Sequence, residues 1–261
     1  MMLEITSFSN PRYKQLKSLA KSRNRKKEGL FIAEGRPELD VAIRTGIVPV
    51  LAIFCEAYIS YNELISLVGD KVEVLQLSKA LFDDLVYQQV PGNFIIQFKS
   101  WECGIEALSN SGDVVVLESL EKPGNLGAIL RTCDAAGVKD VIVCESDIDL
   151  FNPNVIRNSR GAAFTVNVVF CSNDEALGYL KSRNLPVYAA ALSDAAVDYS
   201  DVKDDGPKAL IFGAESKGLS EFWMNKSDKQ IIIPMLGTVD SLNLSVSAAV
   251  ILFGLRNKSS E

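Results

Sequence analysis

The 261-residue sequence contains no histidine. That absence removes Ser-His-Asp and Cys-His nucleophile pairs, imidazole-ligated metals and an imidazole general base, and with them most hydrolase mechanisms. Cysteine is sparse. Cys55, Cys103, Cys133, Cys144 and Cys171 form an odd set with no C-x-x-C pair, so neither a structural disulfide framework nor a cysteine zinc site is expected, and no metal is assigned. Long apolar runs are missing as well. Runs such as Val114 to Leu117 and Ala248 to Phe253 fall far short of the roughly 18 to 20 residues that cross a bilayer. The first residues show no apolar core of a secretory signal, and the expected location is cytoplasmic, with no membrane partner. What is present is a chain 48% hydrophobic and 23% charged, long enough for one large or two small domains with a real core.

Net charge is minus 6, but it is unevenly spread. Residues 1 to 27 hold Arg12, Lys14, Lys17, Lys21, Arg23, Arg25, Lys26 and Lys27 against Glu4 alone, a local plus 7 that leaves minus 13 for the remainder. Such a run reads either as a solvated helix face followed by a flexible basic loop, or as a set of phosphate contacts. Tyr13, inside the cluster, is placed to stack on a base in the second reading.

Ser9 or Asn10 followed by Pro11 marks a helix start, with Tyr13, Leu16, Leu19 and Ala20 at helical spacing. An alternation of short strands and helices then runs to Phe98, closed at Gly46 and Gly69, and defines a small α/β domain over residues 1–98. Residues 99–112 have weak periodicity and end in Ser-Asn-Ser-Gly, the signature of a linker. Beyond it, over 113–261, the strands become uniformly apolar: Val114 to Leu117, Val141 to Cys144, Val166 to Phe170, Val187 to Leu192, Ala209 to Phe212 and Ile231 to Ile233. Runs of that kind separated by helical stretches predict a parallel sheet covered on both faces.

Three loops of this second region carry candidate chemistry. The first, Glu118 to Arg131, follows a buried strand, where ligands of parallel sheets bind. Its Gly124-x-x-Gly127 spacing matches neither the G-x-G-x-x-G dinucleotide turn nor the P-loop, which weakens nicotinamide and nucleotide-triphosphate readings. Arg131 is either a surface salt-bridge residue or a fork for phosphate. The second, Phe212 to Ser220, offers Gly213 for close backbone approach and Glu215 as an acceptor. The third, from Ile231, passes through a Pro/Gly loop into a helix with Ser241 as a plausible cap and a small-residue face at Ser245, Ser247, Ala248 and Ala249.

In order, Asn125 to Arg131, Gly213 to Gly218 and Ile233 to Asn243 read N-x-x-x-x-x-R, G-x-E-x-x-G and I-P-M-x-G-x-x-x-S-L-N. With these motifs the sequence closely resembles the SpoU (TrmH-type) RNA 2'-O-ribose methyltransferases of the SPOUT superfamily. The N-terminal region, with Ser9-Asn10-Pro11 and Phe31 to Gly35, is similar to that family's RNA-binding domain, which is like ribosomal protein L30e. Ser216 stands where the second motif often has glycine, and Pro91-Gly92-Asn93-Phe94 stands where Pro-Gln-Gly is more usual. The resemblance implies an α/β fold with a deep trefoil knot in its C-terminal parallel sheet, a homodimer, S-adenosylmethionine as cofactor, and structured RNA as substrate, ribosomal favoured over transfer RNA. It implies that Asn125, Arg131, Glu215, Ser241 and Asn243 form the catalytic surroundings, that Leu192, Gly213, Ile233, Met235 and Leu242 flank the cofactor, and that the eight N-terminal basic residues meet RNA. Family models give Arg131 the role of base. Because guanidinium stays protonated in proteins, Arg131 is expected instead to hold the adjacent phosphate and stabilise the developing alkoxide.

Overall fold

A computed structural model of the chain describes residues 4–86, 93–202 and 206–256; Pro91 and Gly92 lie outside them. The chain forms two compact units. The first contains residues up to Trp101 together with Asp149–Phe164, and the second contains Glu102–Ile148 and the residues from Thr165 onward.

The first unit begins β1 (Glu4–Ile5), α1 (Pro11–Ser18), α2 (Ser22–Glu28) and β2 (Leu30–Glu34). Asn10 caps α1 through its side chain, with Pro11 in the first turn, where its missing N–H costs nothing. The stretch after α1 is helical rather than a flexible basic loop, and it closes on Gly29 in the left-handed conformation. Next come α3 (Arg36–Thr45), β3 (Leu51–Phe54), α4 (Tyr61–Val68), β4 (Glu73–Leu77), α5 (Lys79–Leu85) and β5 (Phe94–Lys99). The sheet has the order β1-β4-β3-β5-β2, parallel at β1–β4 and β4–β3 and antiparallel at β3–β5 and β5–β2. Tyr13 is buried with Leu16, Ile53, Leu77 and Phe82 in one core and its hydroxyl donates to Asp84. It is therefore a packing residue and presents no face to a base.

The second unit runs β6 (Val114–Glu118), α6 (Pro123–Ala136), β7 (Asp140–Cys144), then, beyond an excursion taken up below, β8 (Asn167–Cys171), α8 (Asn173–Ser182), β9 (Val187–Ala190), β10 (Val197–Asp198), β11 (Ala209–Phe212), α9 (Glu221–Lys226), β12 (Lys229–Ile232) and α10 (Leu244–Arg256). The seven strands are all parallel in the order β10-β12-β9-β11-β6-β7-β8. Val114, Val116, Ile142, Val169, Ala209 and Ile211 share one core with Leu177, Leu180 and Trp223. Val115, Leu117, Val141 and Val143 are buried as well, which is why these strands read as unbroken apolar runs instead of alternating.

Two boundaries differ from the expected division at 98 and 113. Residues 102–112 are no free linker: Leu108 is buried in the second unit's core with Cys103 and Ile105 packed against it, and the Ser109 N–H and hydroxyl donate to the fully buried Asp140. The excursion between β7 and β8, which carries α7 (Pro153–Ser159), belongs to the first unit. Its attachment is specific. Phe151 stacks on Phe31 at 4.5 Å between centroids and meets Trp101 edge-on at 4.8 Å; Asp149 takes the buried Arg25 guanidinium at 2.7 Å; and Gly161 fits against Val41 where a Cβ would collide.

Candidate active site

The carboxyl ends of β6 and β11 and the start of α10 bring three side chains of the second unit together. Glu215 Oε1 accepts from Asn125 Nδ2 at 2.8 Å and from Asn243 Nδ2 at 2.7 Å, and Asn243 Nδ2 also lies 3.3 Å from Asn125 Oδ1. The other carboxylate oxygen pairs with Lys122. This hydrogen-bonded ammonium, with help from Asn125, holds the Glu215 carboxyl below its usual range, so at neutral pH it is an acceptor only.

Each member is fixed by its own local fold. Asn125 projects from the first turn of α6, because Pro123 starts that helix directly after Lys122. Gly124 and Gly127 are thus helical residues and not the turn glycines of a loop. Gly213 tightens the second loop: a Cβ there would overlap the backbone of Gly218 and Leu219, and Ala214 bridges Gly218. Asn243 caps α10, its Oδ1 accepting from the Ser245 N–H at 3.0 Å and the Ser245 hydroxyl at 2.7 Å. Ser241, the expected cap, lies two residues too early and is exposed.

Beside this cluster opens a cavity of about 700 Å³, of a size that suits a nucleoside-sized ligand. Leu192, Gly213, Ile233, Met235 and Leu242 all line it, as do Glu215, Ser241 and Asn243. Asn125 is not in the lining and reaches the site through Glu215 and Asn243. Arg131 is separate: it is exposed on α6, outside the cavity, with no hydrogen bond or ion pair among the described residues.

Three residues that motif reading passed over hold the second loop in place. Buried Glu118, the last residue of β6, accepts from Ser220 N at 2.8 Å, Ser220 Oγ at 2.6 Å and Asn173 Nδ2 at 2.8 Å. Glu121 takes the Ser216 hydroxyl and Lys122 takes Glu215. Segment 118–122 therefore grips segment 215–220 at three points. The only sequence signal was a run of charged residues at a strand end, which fixes no partner.

The eight N-terminal basic residues divide into two groups. Arg12 pairs with Glu73 and Lys17 with Asp84. Arg25 is buried, bonded to Asp149 and to the carbonyls of Leu19 and Ala20 at 2.7 and 2.9 Å; it is a structural anchor, correcting its expected place on the RNA face. Lys14, Lys21, Arg23, Lys26 and Lys27 are exposed and free of ion pairs among the described residues. Arg23, Lys26 and Lys27 fall at i, i+3 and i+4, on one side of α2.

Comparison with known proteins assigns the class. The family model described as SpoU rRNA Methylase family matches residues 113–253, and an MRM3-like substrate binding domain matches residues 10–95. The chain belongs to the SpoU rRNA methylase family. It is 28% identical over 256 residues, 98% of this chain and 100% of the relative, to the 23S rRNA (guanosine(2553)-2'-O)-methyltransferase RlmP of Bacillus subtilis. It is 45% identical over 142 residues, 53% of this chain and 71% of the relative, to the tRNA (guanosine(18)-2'-O)-methyltransferase of Thermus thermophilus. Among solved structures, an RNA 2'-O ribose methyltransferase superposes with a TM-score of 0.87 at 34% identity, covering 98% of this chain and 99% of the other.

Proposed function

We propose that this protein transfers a methyl group from S-adenosylmethionine to a ribose 2'-hydroxyl of structured RNA in the cytoplasm, with ribosomal RNA favoured over transfer RNA. The observation that carries the reading is the hydrogen-bonded cluster of Asn125, Glu215 and Asn243 beside a cavity lined by Leu192, Gly213, Ile233, Met235 and Leu242. The residues fit the cofactor: apolar side chains offer flanks for a purine, and backbone at Leu192 and Ile233, beyond the last β9–β12 register pair, lines the cavity where its edge would be read. When bound, S-adenosylmethionine supplies an electrophilic methyl carbon, so the protein needs to position the attacking oxygen in line and stabilise its charge. No histidine is required for either task. Ionised Glu215 orients the two asparagine amides at the edge of the cavity, and Ser241 adds a hydroxyl to its lining. Arg131, exposed outside this cavity and with no partner for its N–H donors among the described residues, is read as holding the phosphate next to the reacting ribose and the developing alkoxide of RNA docked there.

The N-terminal unit is read as the substrate-binding domain, with Lys14, Lys21, Arg23, Lys26 and Lys27 contacting phosphate. The working form is read as a homodimer and the strand order of the second unit as that of a trefoil knot. Ala248 is buried against its own unit and is not available to a contact between copies. Val246 and Phe253, seven residues apart on the same side of α10, are exposed with Leu236, Val239 and Leu242 and supply the apolar area a twofold contact needs. Sedimentation equilibrium at micromolar concentration is expected to give twice the chain mass; a monomer would overturn the dimer. Calorimetry with S-adenosylmethionine, and mapping of 2'-O-methyl sites by primer extension in RNA from a strain lacking the gene, test the activity. Absence of cofactor binding together with an unchanged methylation map would refute it.

A further inference from the structure

We propose that Cys144 and Cys171 form a peroxide-reactive dithiol at the edge of the seven-stranded sheet, one that closes reversibly to a cross-strand disulfide. The two residues end β7 and β8 and are direct register partners in that parallel pair. Strands in a sheet lie about 4.8 Å apart, inside the roughly 4.4 to 6.8 Å range of Cα separations that a disulfide bridges. Register partners also project to the same face. The Cys144 S–H donates to the carbonyl of Ser172, the residue after Cys171, at 3.8 Å.

The partners are not equivalent. Cys144 is buried in the core, whereas Cys171 is half-buried and lines a second cavity, about 540 Å³, beside Phe170, Glu175, Gly178 and Tyr179. β8 is the outermost strand, and residues of α8 and of segment 104–106 complete the lining of that cavity. Hydrogen bonding from Cys144 pulls the Cys171 thiol below its ordinary value against the opposing effects of burial and Glu175, and the same bond together with burial pushes Cys144 up. The accessible sulfur is thus the one favoured as thiolate, the nucleophilic form.

The chemistry balances with hydrogen peroxide or an organic hydroperoxide as oxidant. The Cys171 thiolate attacks the terminal oxygen and the O–O bond breaks. Hydroxide or alkoxide leaves and takes up the Cys171 proton, and a sulfenic acid remains. Cys144 sulfur then attacks Cys171 sulfur, the S–S bond forms, the S–O bond breaks, and hydroxide leaves with the Cys144 proton as water. Two thiols give up two electrons and one peroxide receives them. A directly opposed pair in parallel strands departs from relaxed bridge geometry, which makes the bridge readily reducible by small thiols.

Full-length reduced protein is treated with hydrogen peroxide, denatured in an alkylating agent and digested with trypsin, which cuts at Arg157 and Arg160 between the two cysteines. A linked pair of peptides joining Cys144 to Cys171, about 2 Da lighter than the two free-thiol peptides together, is expected. It disappears with dithiothreitol, while Cys103 stays alkylatable. In Cys144→Ser, dimedone traps a sulfenic acid at Cys171; in Cys171→Ser, Cys144 gives no adduct. The proposal is overturned if wild type keeps both thiols alkylatable, if Cys171 advances to the sulfinic acid without a link, or if the link runs to Cys103. The wild-type map decides this even where a variant folds poorly.

Discussion

Replacing Arg23, Lys26 and Lys27 together by glutamine tests whether α2 is a phosphate-binding face. Glutamine keeps helix propensity, and all three side chains are exposed, so the fold is expected to survive. Each phosphate contact contributes about 0.7 to 0.9 to the slope of log affinity against log salt; if each cation makes one contact, the slope should flatten by about 2 to 3. Between 50 and 200 mM salt, wild-type affinity should then fall about 15- to 60-fold further than that of the triple variant. Fluorescence anisotropy with a structured RNA fragment at four or five salt concentrations measures both lines. S-adenosylmethionine affinity, read in parallel by calorimetry, should not change. An unchanged slope refutes the assignment of this helix face to RNA. Deleting residues 1–27 cannot substitute, since it removes core residues Tyr13, Leu16 and Leu19 as well as Arg25, whose loss alone leaves Asp149 buried without its ion-pair partner at a cost of about 3 to 5 kcal/mol.

Other expectations concern single residues. Burial raises the Glu38 carboxyl from 4.5 to about 7, with Glu34 adding to the rise and Arg160 opposing it. A proton held in the folded state but not the unfolded one makes stability fall as pH rises from 4.5 to about 7, by roughly 3 kcal/mol in all; Glu38→Gln should remove that slope in urea titrations at pH 5 and 8, and an equal wild-type-to-variant difference at both would reject the assignment. Gly213→Ala forces a Cβ into the Gly218–Leu219 backbone, and should weaken S-adenosylmethionine binding by tenfold or more, while costing about 1 to 3 kcal/mol of stability; unaltered affinity would mean the loop does not shape the cofactor cavity. For Arg131, alanine should slow single-turnover methylation by about 10² to 10³ and lysine should fall between alanine and wild type, because lysine keeps charge but loses the fork. Cofactor affinity should hold in both, and a lysine variant that overtakes wild type near pH 10.4 would favour a base over a phosphate clamp.

What could be read from the chain was whatever its neighbours in sequence determine. The apolar runs at Val114, Val141, Val187 and Ala209 became buried parallel strands because burial on both faces leaves its mark within each run of four or five residues. The Asn10-Pro11 start of α1 is equally local. Contacts between distant residues left no such mark. Ser-Asn-Ser-Gly resembled a linker, yet Ser109 is tied to Asp140, 31 residues on; Asp149–Phe164, flanked by methylase motifs, belongs with the first unit through Arg25, 124 residues earlier, and through ring stacking on Phe31.

The same limit governs the two candidate sites in different ways. Eight basic residues in one stretch announce positive charge, but their availability depends on Glu73, Asp84 and Asp149, which lie 61, 67 and 124 residues away. Only the folded chain separates the three engaged cations from the five that have no ion pair among the described residues. The cluster of Asn125, Glu215 and Asn243 also spans long separations, 90 and 28 residues, and no rule of spacing joins them. They were legible because each sits in a motif whose company marks it: Asn125 after Pro123-Gly124, Glu215 between Gly213 and Gly218, Asn243 at the end of Ser241-Leu242-Asn243. Lys122 and Glu118 lie in the same stretch without such company. They hold the second loop through side chains alone, a role that many polar residues at a strand end could fill, and so it is visible only in the folded chain.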